Sequence, residues 1–180
     1  IVGGPARHRG VVAAASYEAR IYGIHSAMPL AQAFRLHPRV ILVPPNFKKY
    51  TRESQAFYKI LYSFTPFIEQ VSIDEAYASF YGFETYYGDF FALSQKIKQT
   101  IVEKLGISAS IGIASNKLVS KVASNYKKPD PLTIVKKGEE KAFLAALTLT
   151  DLPGLGVKTE ERLHRLHIQT IGQVAAVAMV

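Results

Sequence analysis

Val71-Ser72-Ile73-Asp74-Glu75-Ala76-Tyr77 sets two carboxylates side by side among residues that favour strands. An ionised carboxylate surrounded by apolar side chains has to be paired or has to hold a metal. Neighbours in a strand point to opposite faces, so both acids reach one ion only where the chain bends. The stretch is therefore predicted to be a hairpin, with strands at 67–73 and 76–81 and Asp74-Glu75 where they meet. Such hard oxygen donors suit Mg²⁺, which leaves its remaining positions to water and substrate phosphates. The dipeptide taken alone also describes a solvated surface turn. No other acid in the chain has a comparable setting.

Outward from this hairpin the apolar spacing alternates between helix and strand. Tyr50, Phe57, Ile60, Leu61 and Phe64 recur at helical intervals from Phe47 until Thr65-Pro66. Leu93, Ile97, Ile101 and Leu105 stand four apart, and Ile107, Ala109, Ile111 and Ile113 alternate as in a strand with one buried face. Helical spacing returns at Leu118, Val119, Val122, Ala123 and Tyr126, followed by an apolar strand at 132–135. This order predicts an α+β domain with an antiparallel sheet and helices on one face.

Upstream, Ile1-Val2-Gly3-Gly4 reads as the end of a strand, and the chain as a piece of something longer. A strand at 11–15 and a helical turn at 17–22, closed by Gly23, come next. Ser26 is the expected cap of a helix that has Pro29 in its first turn and ends near Leu36. A strand at 40–43 and the break Pro44-Pro45-Asn46 follow. Beyond Lys136-Lys137-Gly138 the pattern is wholly helical. Boundaries are expected near residues 46 and 136.

The chain has 180 residues, 48% of them apolar, enough for a core. It contains no Cys, which excludes disulfides, thiolate zinc sites and cysteine nucleophiles and permits a cytoplasmic home. No apolar run approaches the length of a membrane span. The net charge of +8 is unevenly spread: residues 1–46 carry five basic groups against one acid, and 96–135 carry seven against two. Between them, 47–95 carry four against six, with Asp74 and Glu75 included. That layout suits a polyanion held by basic walls over a metal-binding floor.

Three further groups of residues suit phosphate. Tyr17 and Arg20 stand three apart on one helical face, offering a phenol and a guanidinium fork to a triphosphate. Lys128 precedes Pro129 and is held at a helix exit. Leu152-Pro153-Gly154-Leu155-Gly156-Val157-Lys158 places two glycines in a tight turn before a helix, whose first N–H groups and dipole attract phosphate. Each has a plain structural alternative: packed Tyr and surface Arg, paired surface lysines, and an interhelical turn.

Taken in order, these segments resemble the Y-family translesion DNA polymerases of the DinB type. The resemblance is carried by Arg9-Gly10-Val11-Val12-Ala13-Ala14-Ala15-Ser16-Tyr17-Glu18-Ala19-Arg20, Ser26-Ala27-Met28-Pro29, Ser72-Ile73-Asp74-Glu75-Ala76-Tyr77, Gly112-Ile113-Ala114-Ser115-Asn116-Lys117 and the glycine turn. It implies a fingers subdomain at 1–46, a ferredoxin-like palm at 47–135 and a thumb with a helix-hairpin-helix at 136–180. It also implies that Asp74 and Glu75 bind catalytic Mg²⁺, with two ions in the intact enzyme. Tyr17, Arg20 and Lys128 would hold the triphosphate of a dNTP, and Gly154, Gly156 and Lys158 the backbone of primer-template DNA. The implied enzyme is an error-prone, cytoplasmic monomer without a proofreading exonuclease, recruited by a sliding clamp.

The family's opening strand, with another metal-binding Asp and the aromatic gate against ribonucleotides, would lie upstream of Ile1, and its little-finger domain would lie beyond Val180. Residues 1–180 alone are therefore expected to be inactive or nearly so. Ala78-Ser79-Phe80 and Glu160 depart from the family pattern tolerably. Two other readings are a noncatalytic DNA-binding module using the helix-hairpin-helix and, last, a nucleotide cyclase on a similar sheet.

Overall fold

A computed structural model describes residues 1–4 and 10–177, which form two compact units, Ile1–Arg52 and Glu53–Val180. In the first, β1 (Val2–Gly3) pairs antiparallel with β2 (Val12–Ala14). Two short helices, α1 (Tyr17–Ile21) and α2 (Leu30–Leu36), complete it. Val12, Ala15, Ala19, Ile24, Met28, Leu30 and Ala33 form its core, with Ile1, Val40 and Leu42 packed against them.

Two expectations change here. Ser26 caps nothing: α2 begins after Pro29, which occupies the N-cap position without a side-chain hydrogen bond. The segment 40–43 is not a strand, because only Val43 reaches β1, in one parallel bridge to Val2. Arg9, the first residue of the motif that runs to Arg20, lies outside the described residues.

Helix α3 (Phe47–Tyr62) crosses the division between the units. In the second unit, β3 (Ile68–Gln70) and β4 (Ala76–Ala78) form the expected antiparallel hairpin, with Glu69 opposite Tyr77. Both strands are shorter than predicted, because the N–H groups of Val71 and Ser72 already turn onto the Glu75 carbonyl, at 3.0 and 3.2 Å. A short helix that the apolar spacing did not predict, α4 (Glu84–Tyr87), precedes α5 (Phe90–Leu105). Tyr58, Ile60 and Leu61 of α3 bury themselves with Leu93, Ile97 and Ile101 of α5, and Ile68, Ala76 and Ile111 pack on that cluster.

The chain continues through β5 (Ile111–Ile113), α6 (Lys117–Asn125) and β6 (Leu132–Ile134). The α+β class stands, with the strands of the described residues in three two-stranded sheets. The β5–β6 pair runs parallel, not antiparallel, because α6 carries the chain back before β6 begins. Asn116 caps α6 by accepting the Val119 N–H at 3.0 Å. Val119 and Ala123 of α6 pack on Val135, while Val122 packs on Leu147 and Ile171. Thus α6 shares its apolar face with the helical region after residue 136: α7 (Glu140–Ala145), a 3₁₀ turn at Leu149–Asp151, α8 (Val157–Arg165) and α9 (Ile171–Val177).

Glu140 ties α7 to the loop before α6. Its carboxylate accepts the Ser115 hydroxyl at 2.5 Å and the Gly138 N–H at 2.6 Å. The Ser115 bond, then its own backbone N–H, hold the carboxyl below its ordinary value of 4.5. A carboxyl depressed on folding contributes stability above its unfolded value, and that contribution is lost as pH falls through the folded value. Glu140→Gln is therefore expected to flatten the acid limb of the thermal midpoint against pH below about 4.5. An acid limb identical to that of the unaltered protein would remove this tether from the account.

Candidate active site

The bend between β3 and β4 presents Asp74 and Glu75 to solvent. The sequence pattern implied burial, and that does not hold: Val71 and Ile73 beside the acids are themselves 52% and 58% exposed. What fixes the acids is polar contact. The Ser72 hydroxyl donates to Asp74 Oδ1 at 2.7 Å and accepts the Asp74 N–H at 3.3 Å. Lys121 of α6 makes an ion pair with Glu75 Oε1. One turn earlier Lys117 pairs with Glu69 of β3 and lies over the Tyr77 ring of β4, 5.6 Å from its centre. Two lysines at i and i+4 on one helix face thus staple the hairpin through its carboxylates.

Beneath the bend, the Tyr58 hydroxyl reaches the Ser72 carbonyl at 2.5 Å and the Glu75 carbonyl at 2.8 Å. Tyr58 is 8% exposed. Burial raises its phenol above the ordinary value, with the Asp74, Tyr62 and Glu75 charges adding to the effect. The hydroxyl therefore keeps its proton, and its role as donor, throughout the neutral range.

Neither Lys121 nor Tyr58 stands out in the sequence. Tyr58 lies 17 residues from Glu75 and Lys121 lies 46 away. The only signal for the lysine is its four-residue spacing from Lys117.

Among the described residues no group of three or more His, Cys, Asp or Glu side chains converges as a metal site. The two adjacent acids still suit Mg²⁺, which is bound through one or two carboxylates and completed by substrate phosphate. Asp74 is the better placed of the two, since Glu75 is shared with an ammonium group.

Tyr17 and Arg20 do share a face of α1. The guanidinium lies 5.2 Å from the centre of the Tyr17 ring, and Arg20 Nε donates to the Ala15 carbonyl at 3.1 Å. Ser16 caps this helix by accepting the Ala19 N–H. Lys128 follows the end of α6 in an exposed loop. The loop is moored to α5, because Lys98 Nζ donates to the Asp130 carbonyl at 2.6 Å and pairs with its carboxylate at 2.7 Å.

In the glycine turn, Gly154 has φ +88°, the left-handed region that disfavours other residues. Gly156 is the N-cap of α8, and no side chain caps this helix. A Cβ at either glycine would meet nothing within 4 Å. The first turn of α8 therefore stands open to a large anion, with Lys158 in that turn.

The profile of the impB/mucB/samB family matches residues 1–125, and that of the IMS family HHH motif matches 137–168. DNA polymerase IV of Dehalococcoides mccartyi is 47% identical over 176 residues, which is 98% of this chain and 45% of the relative. DNA polymerase IV of Ralstonia nicotianae is 40% identical over 96% of this chain and 48% of its own length. The crystal structure of DinB from Sulfolobus solfataricus superposes with a TM-score of 0.90 at 33% identity, over 98% of this chain and 52% of that one. An insertion ternary complex of Dbh DNA polymerase gives 0.84 at 34%, over 94% and 51%. The chain spans about half the length of the relatives it matches.

Proposed function

Because the chain belongs to the impB/mucB/samB family, that of the Y-family DinB-type polymerases, we propose that it carries the nucleotidyl-transfer site of an error-prone, translesion DNA-directed DNA polymerase. The observation that carries this reading is the exposed pair Asp74-Glu75 at a hairpin bend backed by a buried Tyr and a Lys. Asp74 and Glu75 would hold Mg²⁺, two ions in the intact enzyme. When bound, the metal supplies Lewis-acid stabilisation of charge on the reacting phosphate.

The chain's own residues do the positioning. Tyr17, Arg20 and Lys128 would bind the triphosphate of the incoming dNTP, with Arg20 offering a fork that matches phosphate oxygens. Lys121 makes an ion pair with Glu75 and so fixes the direction of its carboxylate. In the transfer, a bond forms between the primer 3′-oxygen and the α-phosphorus. The bond from that phosphorus to the bridging oxygen breaks, and pyrophosphate leaves.

Gly154, Gly156 and Lys158 would grip the primer-template backbone, which gives position without sequence preference. Lys158→Ala is expected to weaken duplex binding equally across sequences and to reduce the salt slope by about one. A fluorescence titration at several salt concentrations checks this, and an unchanged slope would count against that contact. The reading also entails a cytoplasmic monomer that meets a sliding clamp through the full-length protein. No helix among the described residues is long and apolar enough to cross a membrane.

Primer extension with Mg²⁺ and dNTPs tests the whole reading. The expected result is templated synthesis by a protein of the full length of its relatives, and little or none by residues 1–180 alone. A noncatalytic DNA-binding module, favoured only by the open turn before α8, would bind duplex without nucleotide and without regard to Arg20→Ala.

A further inference from the structure

The acids at the bend have a support that the family motif does not contain. Tyr58 projects from α3, whose neighbouring Ile60 and Leu61 are buried against α5, so its ring is rooted in the most extensive core of the second unit. Its hydroxyl reaches the carbonyls of Ser72 and Glu75, which bracket the bend. The Glu75 carbonyl already accepts the N–H groups of Val71 and Ser72. One phenol thus closes a small network in which every member is backbone of the segment bearing the acids.

The acids themselves are exposed and lie on a loop between three-residue strands, where the Ser72 hydroxyl and Lys121 hold their side chains and Tyr58 is the contact that comes from the core. Carboxylates that receive one cation must be held to within a fraction of an ångström, and groups behind the ligands supply that restraint.

We propose that Tyr58 is a positioning residue for the cation site: its hydroxyl fixes the backbone of the 72–75 bend so that Asp74 and Glu75 face one ion together. This rests on the reading that those two acids hold a divalent cation, and the test separates the two. Mn²⁺ is titrated into residues 1–180, and paramagnetic broadening of the 72–76 amide signals is followed by NMR. Mn²⁺ stands in for Mg²⁺.

The expected result is broadening centred on the bend, abolished by Asp74→Ala, with affinity lowered roughly three- to tenfold by Tyr58→Phe, the equivalent of one lost hydrogen bond. Tyr58→Phe keeps the ring and hence the packing. Ile101→Val, a change in the same core, supplies a comparison that lowers the thermal midpoint and leaves Mn²⁺ affinity alone. If Tyr58→Phe binds Mn²⁺ as tightly as the unaltered protein, or if Ile101→Val weakens binding equally, the positioning role is wrong and the cation site stands. If the unaltered protein shows no broadening at the bend, or if Asp74→Ala retains it, the cation site and this role fall together.

Discussion

Asp74→Ala is expected to lower single-turnover primer extension on the order of 10³-fold or more in a protein of the relatives' full length. On the proposed reading Asp74 holds the metal, and losing it removes charge stabilisation worth several kcal/mol from the transition state; each 1.36 kcal/mol is about tenfold in rate. The fold should tolerate the change. Asp74 is exposed and its side chain accepts a hydrogen bond from the exposed Ser72 hydroxyl, so the thermal midpoint should move by roughly a degree or two. Glu75→Ala is expected to be milder for the metal, since Glu75 already shares its charge with Lys121. Extension by Asp74→Ala within tenfold of the unaltered protein, at equal folded concentration, would contradict the assignment of this bend as the reaction centre.

The position of that bend was legible in the sequence, because a pair of acids between two strand-forming runs can share an ion only where the strands reverse. Helices α3, α5 and α6 were equally legible, since each repeats apolar residues at three- and four-residue intervals along one face. Helix α4 was not, because four residues inside an aromatic run carry no period. The strand expected at 40–43 failed for a different reason: apolar residues there serve a core, with Val40 and Leu42 packed on it, while pairing with β1 is a single bridge from Val43 to Val2.

The acids' partners were the least visible. Tyr58 looks like one more apolar position of α3, and Lys121 like one more surface lysine, until the fold brings both to the hairpin. The acids' exposure was likewise hidden, since Val71 and Ile73 suggest burial by type but are left in solvent by the turn.

The same dependence of site on fold makes Gly112→Ala the most crowded glycine-to-alanine change among the described residues of the second unit. A Cβ at Gly112 would lie 2.1 Å from the Ser120 carbonyl oxygen, 2.4 Å from the Ser124 nitrogen and 2.9 Å from the Ala123 Cβ. The two nearest atoms are α6 backbone, which cannot swing aside as a side-chain tip can, so β5 and α6 must separate as bodies. β5 is held on its other side by β6, with Gly112 opposite Thr133. α6 is held by the Val119, Val122 and Ala123 contacts. Overpacking of this kind costs about 1–3 kcal/mol and more where backbone is struck, which for a chain of this size is a drop of roughly 3–12 °C or loss of the fold. Gly156→Ala is the open-space comparison: its φ is −87° and its Cβ meets nothing, so it should lose only the preference of the N-cap for Gly over Ala and lower the midpoint far less. Equal midpoints for the two alanine variants would mean that β5 and α6 do not pack as closely as described.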